Sequence, residues 1–305
     1  MGKRVIVLVG PTCSGKTYLS IQLAKMINAQ ITSADSRQIY KKLNIGTAKP
    51  TPSELKIVKH YFINILEPNE DYSANIFSDE AEKIIDNINK KNKTVIVVGG
   101  SGLYIKALID GIVESADKDE ELRKKLLKQR EKFGNESLYN ELKKIDPVSA
   151  DNMLPQNWKR VIRALEVFYL TGKPIWQHHQ NQTKKKKFEF QQIGLKWDRT
   201  SLYKKIEDRV DQMIEKGLVD EVKGILDDGY DKKLNSLNTV GYKEIISFLD
   251  DEISLDRAIE LIKRNTRHYA KRQMTWFNAD KRIEWYNISR MDDLDNLAVK
   301  LGKEF

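Results

Sequence analysis

Gly10, Pro11, Thr12, Cys13, Ser14, Gly15, Lys16 and Thr17 fit the spacing G-x-x-x-x-G-K-[ST], the pattern of a phosphate-binding loop. Glycines let such a loop curl until its N–H groups converge on phosphate oxygens. A helix starting near Lys16 would add partial positive charge from its N-terminus. Lys16 supplies a full charge, and Thr17 a hydroxyl suited to magnesium (Mg2+). A glycine turn before an ordinary helix would show the same string but leave the Lys-Thr pair unexplained. The loop takes a di- or triphosphate and does not say whose. Two more polar groups follow apolar runs: Asp35, Ser36, Arg37 and Gln38 after residues 30–34, and Gly99, Gly100, Ser101 and Gly102 after residues 94–98. Either group could be turn chemistry. Either could also line a ligand rim, because the crevice of an open α/β sheet lies past the carboxyl ends of its strands.

Arg209 poses a separate question. In a helix predicted over 200–217 it falls within the apolar stripe of Leu202, Ile206 and Met213. A buried guanidinium needs an anion. A carboxylate partner, a snorkelling side chain and a bound diphosphate would each resolve the conflict.

Holding these groups together takes a repeated strand–loop–helix arrangement. Residues 5–9 are an unbroken apolar run, short and mostly β-branched, and read as a buried strand. Leu19, Ile21, Leu23, Ala24 and Ile27 suit the helix after it. Further strands are expected at 30–34, 61–66, 94–98, 188–195 and 282–288, and a loop at 49–52. Ser73 can cap a helix over 73–91 with Ile76, Phe77, Ala81, Ile84, Ile85 and Ile88 as its stripe. The expected fold is α/β, a P-loop NTPase-like parallel sheet core flanked by helices, with an all-helical insertion. The divisions fall at 1–115, 116–187 and 188–305. In the middle segment Leu122, Leu126, Phe133, Leu138, Leu142 and Ile145 are spaced for helices, as are Val161, Leu165 and Phe168, and Arg160 and Arg163 share a face. A last long helix, 254–277, should turn Leu255, Ala258, Ile259, Ile262, Tyr269 and Trp276 to one side and Arg264, Arg267 and Lys271 to the other. A short closing helix should follow at 291–305. No apolar strand ends plainly in the aspartate that a standard ATPase uses for magnesium.

The 305 residues carry 53 Lys and Arg against 44 Asp and Glu, a net charge of +9. That balance favours an anionic partner such as nucleic acid. Cys13 is the only cysteine, which excludes an internal disulfide and fits a reducing compartment. The four histidines offer no metal-binding spacing, and His178 and His179 read as surface. The basic run 184–187 is either a solvated loop or a nucleic-acid contact. No signal peptide is expected and no apolar run approaches the ~20 residues of a membrane span. A soluble, cytoplasmic protein is expected.

Seven segments occur in an order that resembles the tRNA dimethylallyltransferase family, also called tRNA isopentenyltransferase. They are GPTCSGKT, SADSRQIY, NIGTAKP, VVGGSGLYI, RALEVFYLTGKP, NTVGYKEI and RHYAKRQMTWF, and they span nearly the whole chain. The resemblance implies transfer of a dimethylallyl group from dimethylallyl diphosphate to the exocyclic amine of adenosine at tRNA position 37. That base lies beside the anticodon of tRNAs reading codons that begin with U, and diphosphate leaves. The P-loop, from Gly10 to Thr17, would then hold an isoprenoid diphosphate rather than ATP, in accord with the missing strand-end aspartate. By the same resemblance Asp35 is the general base. Lys16, Mg2+ near Thr17, and Arg209 stabilise the leaving group. Ser101 stands where the family has threonine and keeps the hydroxyl beside the reacting amine. Asp35, Ser36, Arg37, Gln38 and Ser101 would meet the target base, which must leave the anticodon stack to reach them. Arg123, Lys159, Arg160, Arg163, Arg264, Arg267 and Lys271 would meet the rest of the tRNA. The implied partners are a tRNA anticodon stem-loop and dimethylallyl diphosphate, with no membrane and the chain acting as a monomer. Two departures concern tRNA grip or packing: Asn278, Ala279 and Asp280 replace the family's basic residues after TWF, and Trp176 replaces a smaller residue. Prenyl transfer to free adenine nucleotides, a P-loop small-molecule kinase and a non-catalytic nucleic-acid-binding module are the competing readings. The long basic helix argues against the first, and the convergence of Asp35, Ser101 and the P-loop against the last.

Overall fold

A strand whose two faces are both apolar is satisfied only inside a covered sheet, and that is where the chain puts its apolar runs. The computed structural model describes residues 4–112, 119–180 and 187–305. Residues 184–186 of the basic run lie outside the described residues. In chain order the elements are β1 (Arg4–Val9), α1 (Lys16–Met26), β2 (Gln30–Ser33), α2 (Pro52–Ile57), β3 (His60–Tyr61), α3 (Ala74–Asn89), β4 (Val95–Val98) and α4 (Gly102–Asp110). Then come α5 (Glu120–Ile145), α6 (Pro147–Asp151), a 3-10 turn (Pro155–Asn157), α7 (Trp158–Thr171) and α8 (Ile175–Gln180). The chain ends with β5 (Glu189–Trp197), α9 (Arg199–Glu215), α10 (Leu218–Asp227), α11 (Tyr242–Leu249), α12 (Leu255–Asn278), β6 (Ile283–Ile288) and α13 (Met291–Glu304). It divides into two units, residues 1–109 with 186–305, and residues 110–185.

The first unit is an α/β fold. Its six strands form one sheet in the order β3-β2-β4-β1-β5-β6, every pairing parallel. Val7 on β1 sits opposite Val97 on β4 and Gln192 on β5. Val5 to Val9 are fully buried, as parallel strands between helical layers must be. Leu19 and Leu23 of α1, Ile206 of α9, Ala270 of α12 and Leu294 of α13 pack with Ile6, Ile31, Ile96 and Ile193 of the sheet. Consecutive strands β1 and β2 lie on either side of β4. The loops that leave β1, β2 and β4 therefore emerge side by side from one edge.

The second unit is helical. Leu126, Leu138, Leu142, Ala150, Val161 and Leu165 make its core. Phe133, expected inward, is 61% exposed. Gly134, at φ 79° and ψ 177°, breaks α5 there and resets the helical phase. Glu166 is buried and pairs with Arg123 at 3.0 Å and with Arg163 at 3.6 Å. His178 places Nε2 3.1 Å from Thr171 Oγ1, so it is tied to its own unit rather than free at the surface.

Other expectations shift as well. Of the run 61–66 only Tyr61 lies in a strand, together with His60 before it, and Leu66 is reduced to a single bridge to Tyr40. The expected loop at 49–52 leads into α2 because Thr51 and Glu54 form a capping box around its first turn. The inward face of α12 is Ala258, Ile262, Ala270, Gln273 and Phe277, and Trp276 is 39% exposed. Ile76 of α3 is also exposed.

The close approach of β2 and β4 at their ends needs a glycine. A Cβ on Gly99 would lie 2.1 Å from the Ala34 carbonyl oxygen, whereas one on Gly224, in α10, would meet nothing within 4 Å. Gly99→Ala should therefore destabilise the fold by about 2–3 kcal/mol. Gly224→Ala should be neutral or stabilise by up to ~1 kcal/mol. Chemical denaturation midpoints of the two variants check the contrast, and equal midpoints would contradict the strand-end packing.

Candidate active site

The strand ends are stitched by backbone hydrogen bonds. Ala34 N–H donates to Val98 O at 2.7 Å, Gly99 N–H to Leu8 O at 3.2 Å, and Ser101 N–H to Ala34 O at 3.2 Å. Onto this edge the P-loop folds with Gly10, Cys13 and Gly15 at φ 147°, 64° and 87°. The loop is held from outside: Trp197 Nε1 donates to Ser14 O at 3.0 Å, and Leu294 leaves no room for a Cβ on Gly15. Ser14 Oγ is buried and has no hydrogen-bond partner among the described residues.

Lys16 Nζ turns back and donates to Gly10 O at 3.0 Å and Pro11 O at 2.6 Å. Burial lowers its pKa to about 8, opposed by the charges of Asp35 and Cys13. Arg209 reaches from α9 to the loop: Nη1 donates to Thr12 Oγ1 at 2.9 Å and to Cys13 Sγ at 3.4 Å. Its Nε is buried without a partner among the described residues. Among the described residues no carboxylate pairs with Arg209. Of the three ways to accommodate this arginine, the structure departs from the carboxylate pair and turns the guanidinium to the P-loop instead of outward.

Asp35 and Ser101 are both engaged locally. Asp35 Oδ1 accepts from Arg37 N at 2.9 Å and Gln38 N at 3.3 Å, a side-chain-capped turn. Ser101 Oγ accepts from Ser36 N at 2.9 Å and donates to Ser36 Oγ at 3.2 Å. Arg37 Nη1 donates to Asn235 O at 2.8 Å, and Gln38 Nε2 to Thr47 O at 3.2 Å. The segment 44–47 is itself fixed by Glu221, which accepts from the N–H groups of Asn44, Ile45 and Gly46 and from Tyr242 Oη at 2.6 Å.

These elements enclose a cavity of about 860 Å³. Thr12 to Thr17, Asp35 to Gln38, Arg209 and Arg272 give its lining polar groups, and Ile206, Val210, Met213, Val240 and Ile262 give it apolar ones. Tyr269 lies among them, its phenol pushed up by burial and by Asp35 and so held neutral. Ser101 stands behind Ser36 and is not part of the cavity wall.

None of the remaining candidates lines the cavity. Arg123 and Arg163 share Glu166, Lys159 lies over the Trp158 ring at 5.4 Å, and Arg160 is exposed. On α12, Arg267 pairs with Glu207 at 2.6 Å, Arg264 Nε reaches Asn265 Oδ1 at 3.4 Å, and Lys271 is exposed. The basic face of that helix is thus partly neutralised by α9. Sequence reasoning gave no role to Trp197, Glu221, Tyr242, Arg272 or Gln273. Tyr242 and Gln273 sit inside two of the motif segments, where a polar group on an otherwise inward helix face was the available signal.

The IPP transferase family model matches residues 38–280. The tRNA dimethylallyltransferase of Acetivibrio thermocellus is 48% identical over 300 residues, covering 97% of this chain and 96% of the relative. That of Halothermothrix orenii is 47% identical over 305 residues, covering 99% and 93%. Among solved structures, the full-length tRNA isopentenylpyrophosphate transferase of Bacillus halodurans superposes with a TM-score of 0.74 at 38% identity, covering 99% of this chain and 95% of its own. A eukaryotic dimethylallyltransferase acting on tRNA superposes with a TM-score of 0.84 at 30% identity, covering 98% and 77%. With a family match over most of its length and relatives near half-identical from end to end, the chain belongs to the IPP transferase family.

Proposed function

We propose that this protein transfers a dimethylallyl group from dimethylallyl diphosphate to the exocyclic amine of adenosine 37 in tRNA, with release of diphosphate. The observation that carries this reading is the cavity's mixed lining: the P-loop with Lys16, and Arg209, neither bound to a carboxylate among the described residues, share it with Ile206, Val210, Met213, Val240 and Ile262. A diphosphate bearing a short hydrocarbon suits both kinds of lining. Relatives of matching length carry the tRNA dimethylallyltransferase name.

In this reading the amine nitrogen forms a bond to C1 of the dimethylallyl group as the C1–O bond breaks. The bonding electron pair leaves with diphosphate. The amine proton passes to Asp35, whose Oδ1 already holds the 36–38 turn and whose carboxylate faces the cavity. P-loop N–H groups, Lys16 and Arg209 meet the charge that grows on the leaving group. Ser101 acts through Ser36, holding the loop that receives the base. Among the described residues no group of three or more His, Cys, Asp or Glu could hold a metal by itself. The donor set instead fits a Mg2+ kept mainly by diphosphate oxygens and water, with the Thr17 hydroxyl as a protein ligand. When bound, that ion adds positive charge beside the diphosphate. Among the described residues Lys159, Arg160, Arg264 and Lys271 have no carboxylate partner and suit tRNA phosphates; Arg123, Arg163 and Arg267 would have to share theirs. No described helix is long and apolar enough to cross a membrane. The enzyme is proposed to act in the cytoplasm as a monomer.

The direct test is incubation with radiolabelled dimethylallyl diphosphate, Mg2+ and unmodified tRNA, with AMP and ATP in parallel. Label should enter tRNA alone; label in AMP or ATP would move the activity to free nucleotides. Asp35→Ala should retain tRNA affinity while kcat falls about 10²–10⁴-fold. Matching losses in binding and turnover would mean that Asp35 only shapes the site. The Lys16 ammonium loses its proton as pH rises through about 8. Because kcat/KM reports the free enzyme, its value for dimethylallyl diphosphate should decline above that pH. A profile flat through the alkaline range would remove the Lys16 charge from substrate capture.

A further inference from the structure

Gln273 projects from α12 and is 6% exposed. Its Oε1 accepts the Thr12 N–H at 2.8 Å, and its Nε2 donates to Gly100 O at 3.0 Å. Thr12 belongs to the loop after β1 and Gly100 to the loop after β4. The partners fix the carboxamide's orientation, since the flipped group would set donor against donor and acceptor against acceptor. The approach is close enough that a Cβ on Gly100 would lie 2.1 Å from Nε2. The hydrogen-bond chain continues at both ends. Thr12 Oγ1 receives Arg209 Nη1 at 2.9 Å, and beyond Gly100 the Ser101 hydroxyl receives Ser36 N–H at 2.9 Å, next to Asp35. One side chain thus stands between the groups that meet the diphosphate and the group that meets the amine.

We propose that Gln273 is a positioning residue for the transfer reaction: it sets the separation of the P-loop from the Gly100–Ser101 loop, and with it the distance from the leaving diphosphate to the attacking amine. The proposal rests on the prenyl-transfer reading above. Reacting atoms must meet at about 3–3.5 Å, and a displacement of ~1 Å can cost about 10²-fold in rate. A merely structural glutamine would give stability and leave the rate per folded molecule unchanged.

Gln273→Glu separates these roles. As a protonated acid the new side chain offers one donor and one acceptor, as the amide does; ionised, it turns a negative oxygen on Gly100 O. Burial favours the protonated form. The charged groups on the surrounding cavity wall are Lys16, Arg37, Lys49, Arg209, Lys243 and Arg272 against Asp35 and Glu54, with Cys13 of the P-loop, Tyr18, His60 and Tyr269 of the same helix as the other titratable groups. The experiment measures kcat for tRNA prenylation from pH 6 to 9 for wild type, Gln273→Glu and the near-isosteric Gln273→Met, each as a ratio to wild type at the same pH. The Gln273→Glu ratio should approach one at the acid end and fall about tenfold or more at the alkaline end, while the Gln273→Met ratio stays down about tenfold throughout. The KM for tRNA should not move. Ratios near one for both variants at every pH, or a Gln273→Glu loss that ignores pH and follows a lowered melting temperature, would overturn the proposal. Wild type that fails to label tRNA would retire the prenyl-transfer reading instead. Calorimetric affinity for inorganic pyrophosphate then decides the loop-setting role alone: about fivefold weaker binding by Gln273→Met supports it, and unchanged binding overturns it.

Discussion

Three backbone hydrogen bonds at the ends of β2, β4 and β1, from Ala34, Gly99 and Ser101, lock the strand edges on which the site is built. They need parallel neighbours in register, and they need Gly99, because any side chain there would strike the Ala34 carbonyl. Once these ends are fixed, the loops carrying Lys16, Asp35 and Gly100 cannot move apart without breaking sheet pairing. The P-loop, the Asp35 turn and the Ser101 hydroxyl take their positions from that edge rather than from their own sequences. α12 and α9 then complete the cavity by sending Gln273 and Arg209 into the same loops.

Two cations of the cavity, Lys16 and Arg209, are held by neutral groups. Lys16 uses two backbone carbonyls, and Arg209 a hydroxyl and a thiol. Such partners orient a cation without cancelling its charge, and they cost less to give up to an anion than a carboxylate would. Apolar side chains beside them lower the local polarity, which strengthens the same charges. Elsewhere the chain does the reverse. Glu166 takes two arginines, and Glu221 gathers three backbone N–H groups and a tyrosine hydroxyl. Those carboxylates fill with protein the kind of anion position that the P-loop leaves to a ligand.

The strand–loop–helix of the P-loop was legible in the sequence because its signals are local: a β-branched run, two glycines at fixed spacing, and helical periodicity after Lys16. The parallel sheet and the long α12 were legible for the same reason. What failed was also local in cause. Phe133 turns outward because one glycine at positive φ resets α5. Trp276 lies at the rim because the inward face of α12 is centred on Gln273, a polar residue that a hydrophobic stripe cannot reveal.

The sequence by itself determined which groups could do chemistry: a P-loop, an aspartate and a glycine-rich loop each following a strand, and an arginine out of place in an apolar stripe. Residue type and short spacing are enough for that, since each motif needs only its own backbone geometry. Tertiary structure alone decided what each group touches. The order of the strands put three loops side by side. Packing of α9 gave Arg209 a thiol and a hydroxyl in place of a carboxylate. Packing of α12 placed one carboxamide between two loops separated from it by more than 150 residues of chain. Those contacts depend on how distant apolar faces bury one another, a property of the whole chain that no single segment carries.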